Sequence, residues 1–444
     1  MKLQSFVSAG MGTAGAQIIS LICLPFLTRL YSPAEFAPWA LGLAFVVFLG
    51  AISTLRYDLA VVIEHDAQDA SALFWLTLIA SLTVFVCVTV GMMVATQSGW
   101  LFQESWVSGS MYLVGGWLLL CMLNQVWNSW YLRRGAFLII SIAQLGNAGV
   151  MNLIQFYGAM AQAGGGFWLV VGSIGGQIVA LMVLLISGLR ADFRPMCLSA
   201  CAHRIRTMAW KHKRFVHYSL PYTLFGALRD RAPVLLLGLW TTSKELGLYS
   251  QAWRLANVPA GLTGGAVRPV LFNGAAERGL PALEATIGKI MTLLVMVGVP
   301  FLAVVSHRPE DFFGLLLGER WRAIGPLLAA MAFPALAFAL SNWMDRLMDA
   351  AGHQDINLWT EMASGITSTS ALVLVLISGA GLLWAVIAQS VILTLNYLFF
   401  IYLTYRVAGY DRSVLIRLLT LAAGLYFGVT LLLQVLWPHF GEVG

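Results

Sequence analysis

LRDRAPVLLLGLWTTSKELGLYSQAWRLANVPAGLTGGAVRPVLF, residues 228–272, decides how this chain is read. It holds two long apolar runs, yet Arg229, Arg231, Arg254 and Arg268 lie inside them. An arginine at the centre of a membrane helix costs roughly 2.5 to 3.5 kcal/mol on insertion scales, so one is kept only where a partner or a wet cavity receives it. The sign is also informative, because a cation-lined path suits an anionic substrate such as a diphosphate or an acidic sugar.

The rest of the chain shows why those charges are exceptional. Of 444 residues, 59% are hydrophobic and only 10% charged, with a mean hydropathy of +0.81; a soluble domain carries about 25% charged residues. Apolar runs of membrane-spanning length fall near 8–28, 36–56, 70–95, 109–130, 136–158, 166–188, 215–240, 247–273, 287–306, 323–345, 356–378, 381–405 and 414–437. They predict an all-α polytopic membrane protein of 12–14 spans, thirteen being the best count. No small-residue cleavage site follows a short apolar core at the start, so the first run reads as an uncleaved span.

Loop charge sets the orientation. With the N-terminus cytoplasmic, seventeen Lys and Arg fall inside and five (Arg29, Lys244, Arg308, Arg320, Arg322) outside, the four intramembrane arginines standing apart. This topology explains the net charge of +6 without nucleic-acid binding. The longest connection, 189–214, carries seven Lys and Arg. It reads as a basic cytoplasmic linker between six-helix halves at 1–188 and 215–406, with 407–444 as an extra C-terminal transmembrane helix. Its HRIRTMAWKHKR end is either a topology anchor or a ligand for anionic headgroups. LYSPAEFAPWA (30–40) and WTTSKELGLYS (240–250) occupy equivalent places in the halves, and glycine clusters at 164–166 and 379–381 open the sixth span of each. Six plus six spans with both N-termini inside give parallel pseudo-repeats, with a central cationic cavity between the halves as the expected path.

Arg231, Arg254, Arg268, Arg229 and Asn257 are the candidate path residues. Arg229 and Arg231 point to different sides of a helix, so that one pairs with Asp230 or a neighbouring helix while the other faces the lumen. Arg254, Gly261 and Arg268 recur every seven residues on nearly one face, the two arginines about 21 Å apart along the axis. Arg268 stands where it either lines the path or snorkels to headgroups. Pro259, Gly261, Gly264 and Gly265 weaken the helix between the arginines and are candidate hinges. Asp230, Asp58 and Glu361 are the acids available for ion coupling, and Arg56 and Arg29 are candidate gate residues. Amides such as Gln144, Asn147 and Gln155 read more readily as helix glue than as sugar ligands.

Of five cysteines, Cys23, Cys87 and Cys121 sit in apolar runs as small core residues, and Cys197, Cys201, His203 and His212 match no zinc spacing. Neither metal nor cofactor is expected. No phosphate-loop motif and no nucleophile–base constellation occurs, so the chain reads as a secondary transporter and not as an enzyme.

LPFLTRLYSPAEFAPWAL (24–41), LRYDLAVVIE (55–64), the stretch from Leu228 to Glu277 and FFGLLLGERWRAIGPLL (312–328) together resemble the Wzx-type polysaccharide (O-antigen) flippases of the multidrug/oligosaccharidyl-lipid/polysaccharide (MOP) exporter superfamily. The resemblance implies a translocase, thought to be driven by ion gradients, for undecaprenyl-diphosphate-linked oligosaccharide in a bacterial inner membrane. Membrane lipid, a polysaccharide polymerase and a chain-length regulator are the implied partners. It assigns Arg231, of the Asp-Arg pair, to the lumen. Thirteen spans depart from the usual twelve or fourteen. Two other readings stand beside it: a small-molecule or drug:cation antiporter of the multidrug branch, which would want acids where this chain has arginines, and an integral-membrane polysaccharide polymerase or ligase, which would want its large basic loop on the outside.

Overall fold

The computed structural model describes residues 3–97, 105–161, 165–189, 195–196, 198–264, 267–268, 271, 279–350 and 353–440. A helix enters every predicted apolar run. In order these are α1 (Leu3–Leu30), α2 (Pro33–Ser53), a short α3 (Tyr57–Ile63), α4 (Ala67–Gln97), α5 (Ser105–Arg133), α6 (Phe137–Met160), α7 (Phe167–Gly188), α8 (Leu198–Lys211), α9 (Leu220–Trp240) and α10 (Ser243–Ala256). There follow α11 (Glu284–His307), α12 (Pro309–Leu317), α13 (Ile324–Ser341), α14 (Asp345–Ala350), α15 (Gln354–Ile377), α16 (Leu382–Ala408) and α17 (Ser413–Phe440). Among the described residues there is no strand, and nine helices are long and apolar enough to cross a membrane. This is an all-α, multi-pass membrane protein. The helix α9, with three consecutive charges at 229–231, is not among the nine.

The chain forms two compact units, Met1–Gly247 and Leu248–Gly444. In the first, α6 packs on α1 and α7, α5 on α7, and α9 on α2. In the second, α16 packs on α13 and α15, and α11 on α13 and α17. The core of the second unit gathers Ile287, Met291 and Val295 of α11 around Trp343, Met344 and Tyr405.

A helix start leaves N–H groups without partners, and hydrocarbon supplies none. This chain meets that need in the same way in both repeated stretches. The Glu35 carboxylate accepts hydrogen bonds from the Ser32 backbone N–H (2.6 Å) and hydroxyl (2.7 Å) at the start of α2. The Glu245 carboxylate accepts from the Thr242 N–H (3.0 Å) and hydroxyl (2.9 Å) at the start of α10. Four residues further along each helix an aromatic side chain donates to a polar side chain of another long helix. Trp39 Nε1 donates to Ser173 Oγ of α7 at 2.9 Å, and Tyr249 Oη to Gln389 Oε1 of α16 at 2.8 Å. The first turn of α2 is also a site of close backbone approach. A Cβ on Gly166 would lie 2.0 Å from the Glu35 carbonyl oxygen, and one on Gly247 would lie 1.7 Å from the Pro33 carbonyl oxygen.

The basic connection 189–214 contains a helix that the apolar pattern did not announce. One face of α8 is docked on the first unit: Met208 is buried with Tyr57, Val61, Phe74 and Trp130, and the Tyr57 hydroxyl donates to the Ala209 carbonyl (3.3 Å). Arg204 pairs with Asp69 at 2.7 Å, while Glu64 receives Lys211 Nζ at 2.6 Å and His212 Nε2 at 3.1 Å. Burial alone would raise the Glu64 carboxyl, but the hydrogen bonds from Lys211 and His212 outweigh it and hold its pKa down at about 2.

Two outcomes follow. Gly166→Ala forces a methyl into the Glu35 carbonyl and should cost about 1–3 kcal/mol by overpacking, seen as a lower melting temperature of the purified protein. Because the folded pKa of Glu64 is depressed, its contribution is present above the ordinary value and is lost as pH falls from about 4.5 towards about 2. Amide-exchange protection of 198–211, corrected for intrinsic rates, should hold at neutral pH, decay over that window, and be weakened at pH 7 by Glu64→Gln.

Candidate functional site

The intramembrane arginines meet three different fates. In α9, Arg229 is 7% exposed. Its Nε and Nη2 both reach Oδ1 of the adjacent Asp230 at 3.0 Å. Arg229 is therefore the member of the pair that the neighbouring acid neutralises. Arg231 is half-buried, and its Nε is enclosed without a hydrogen-bond partner. Pro233 follows inside the same helix and has no N–H to give the Arg229 carbonyl, which loosens the backbone next to the charges.

In the second unit, Arg254 lies half-buried in the last turn of α10. The helix is interrupted at Asn257 and resumes over 258–264. The Asn257 side chain turns back and donates to the Trp253 carbonyl at 2.7 Å. Pro259 stands just beyond the break, where its missing N–H leaves the Leu255 carbonyl without a helical donor. Gly261 is exposed, and Gly264 is packed against the Asn342 amide; Gly265 lies outside the described residues.

Arg268 is tied down. Its Nε and Nη2 donate to the Asn342 carbonyl at 2.9 and 2.5 Å, and Nε lies 3.3 Å from Asp345 Oδ1. Asn342 is the C-terminal cap of α13, where a cation suits the free carbonyls. The Asn342 amide in turn donates to the Ala260 carbonyl, and the Thr263 hydroxyl reaches Ala339 O at 3.3 Å. The second half of the broken helix is thus laced to α13 through polar groups.

The other candidates are dispersed. Arg29 is exposed at the end of α1, and Glu361 is half-buried on α15. Arg56 follows Leu55 in the connection from α2 to α3, and both have left-handed backbone, φ 65° and 48°. Two successive non-glycine residues there store strain of order 1–3 kcal/mol each. Asp58 is held by the Thr54 hydroxyl at 2.7 Å, with Arg56 Nη1 3.9 Å away.

The residue that pattern reading missed is an amide. Gln251 is 1% exposed, and neither of its side-chain polar atoms has a hydrogen-bond partner. Gln389 Nε2 is likewise enclosed and unpaired, although its oxygen receives Tyr249. Nothing in SQAW at 250–253 distinguishes this glutamine from helix glue. Gln155 and Asn124, by contrast, do hold helices together: Gln155 Nε2 donates to Leu169 O at 3.1 Å, and Asn124 Nδ2 to Gln177 Oε1 at 2.9 Å.

Comparison with known proteins places this arrangement. A family model described as polysaccharide biosynthesis protein matches residues 26–326, more than half of the chain. The succinoglycan biosynthesis transport protein ExoT of Rhizobium meliloti (strain 1021) is 23% identical over 410 residues, covering 86% of this chain and 76% of that protein. Among solved structures, an inward-facing multidrug resistance MATE family transporter of the MOP superfamily superposes with a TM-score of 0.70 at 13% identity, covering 92% of this chain and 99% of its own. The lipid II flippase MurJ in an inward closed conformation gives 0.68 at 10% identity, covering 96% and 98%. The fold is that of the MOP transporters, and the chain belongs to the polysaccharide biosynthesis protein family.

Proposed function

We propose that this membrane transporter flips undecaprenyl-diphosphate-linked oligosaccharide repeat units from the cytoplasmic to the periplasmic leaflet of a bacterial inner membrane, by alternating access coupled to an ion gradient. The observation that carries the reading is Arg231, a half-buried arginine whose Nε is enclosed without a hydrogen-bond partner. Such a group is stabilised when an anion arrives, and a diphosphate is the anion of a lipid-linked sugar. Support comes also from the succinoglycan transport protein among the relatives and from the fold shared with a lipid II flippase.

In this reading Arg231 and Arg254 line the diphosphate path, Arg229 is held beside it by Asp230, and Asn257 marks the joint at which the helix bends. Pro259, Gly261, Gly264 and Gly265 allow the bend, and Arg268 holds its far end to α13. Asp230, Asp58 and Glu361 are the acids through which an ion is coupled, and Arg56 and Arg29 act as gates. The N-terminus is cytoplasmic, as the asymmetry of Lys and Arg in the connections supports. The six-helix halves are 1–188 and 215–406. Polymerase and chain-length regulator receive the product.

The test is transbilayer movement of a short undecaprenyl-diphosphate oligosaccharide in proteoliposomes. Loss of one charge-assisted hydrogen bond, worth about 1.5–3 kcal/mol, should slow movement about 10- to 100-fold in Arg231→Ala and Arg254→Ala. Arg→Lys at each site should retain part of it. Absence of glycolipid movement in the wild type, together with export of an amphiphilic cation, would replace this reading with a multidrug antiporter.

A further inference from the structure

The helix α8 divides its cations between two faces. On the docked face, Arg204, Lys211 and His212 are taken up by Asp66, Asp69 and Glu64. On the opposite face, His203, Arg206, Thr207 and Trp210 are exposed at the spacing of one helical stripe, and Lys213, Arg214 and His217, beyond the turn at His212, are exposed as well. No Asp or Glu occurs anywhere between Asp192 and Asp230. Among the described residues, Arg206, Lys213 and Arg214 have no carboxylate within ion-pair distance. At the centre of the stripe Trp210 is 65% exposed, with the Lys213 ammonium 5.0 Å from the ring centroid.

We infer that this stripe is a docking surface for the anionic phospholipid headgroups of the membrane in which the protein sits. Three observations select a lipid surface over other anions. First, only the wide turn Phe215–Ser219 separates Arg214 from α9, a rise of about 9 Å at most, so with α9 among the transmembrane helices, as the proposed function reads it, the stripe lies at headgroup level. Second, an exposed tryptophan flanked by cations has the composition of an interfacial anchor, with an amphipathic ring at headgroup level and charges that reach the phosphates. Third, a strip one side chain wide from His203 to Arg214, at most about 17 Å long, is small beside the roughly 800 Å² per partner of a stable protein interface. A leaflet presents its charge continuously and needs no such area. The docked face keeps α8 in place through Glu64 whether or not lipid is bound, so the outward cations are pre-positioned. The inference takes from the proposed function only that α9 is transmembrane and which leaflet is meant.

The experiment uses the full chain in nanodiscs, where both leaflets carry the same lipid, so it reports on the stripe independently of transport and of orientation. With the native cysteines replaced by serine, a bimane on Thr207→Cys is quenched by phosphatidylglycerol or phosphatidylcholine carrying a nitroxide near the glycerol backbone. At roughly fivefold per cation, the three cations Arg206, Lys213 and Arg214 should favour phosphatidylglycerol by up to about a hundred-fold at low ionic strength, falling with added salt. R206Q/K213Q/R214Q should abolish the preference. R206K/R214K, which keeps the charge, should retain it and shows that loss in the triple variant is not misfolding. Equal quenching by the two lipids in the wild type, an unchanged preference in the triple variant, or displacement of phosphatidylglycerol by stoichiometric inorganic pyrophosphate would each overturn the inference.

Discussion

Hydrocarbon gives no hydrogen bonds, and that constraint organises the membrane part of this protein. Every charge or open backbone group that enters it must find its partner in the chain. Arg229 takes the nearest solution, the acid one residue away. Arg268 reaches across to the carbonyl that caps α13 and to Asp345. Arg231 keeps an enclosed nitrogen unpaired, and in the proposed function that donor is the one an arriving anion satisfies. The same physics thus separates Arg229 and Arg268, which are tied into the fold, from Arg231, whose Nε has no hydrogen-bond partner.

The two repeated stretches show the constraint acting on backbone. Ser32 with Glu35, and Thr242 with Glu245, close the starts of α2 and α10 with one carboxylate each. Trp39 and Tyr249, each one turn further on, then hydrogen-bond to α7 and α16. Side chains of different chemistry occupy equivalent places because what is repeated is the requirement: a capped start and a polar anchor to another long helix. Gly166 and Gly247 bring backbone against the first turn of α2, which leaves no room for a side chain at either position.

Outside the hydrocarbon, charge serves positioning. Glu64 before α4 and Asp69 in its first turn gather Lys211, His212 and Arg204, and the Arg133 guanidinium donates to the Glu64 backbone carbonyl at 3.0 Å. Without that gathering α8 would be a basic segment on a tether. With it, one face becomes part of a core around Phe74 and Trp130 and the other is presented outward.

Membrane spans were legible because hydropathy adds along the chain: a run of about 20 apolar residues is favourable in lipid whatever it later packs against. For the same reason the all-α, multi-pass architecture and the order of its apolar helices, and the exceptional standing of Arg229, Arg231, Arg254 and Arg268 in the sequence, were determined by the sequence itself. The short helices were not, since α3, α8, α12 and α14 lack the length or the apolar character that marks a span, and α8 forms where Met208 finds the pocket made by Tyr57, Val61 and Trp130. Nor could spacing say which arginine would be paired. Arg268 meets Asn342 across 74 residues, and Gln251 loses its partners only through burial. Pairing depends on which groups the packing brings within about 3 Å, so tertiary structure alone decided which of these charges are paired within the chain.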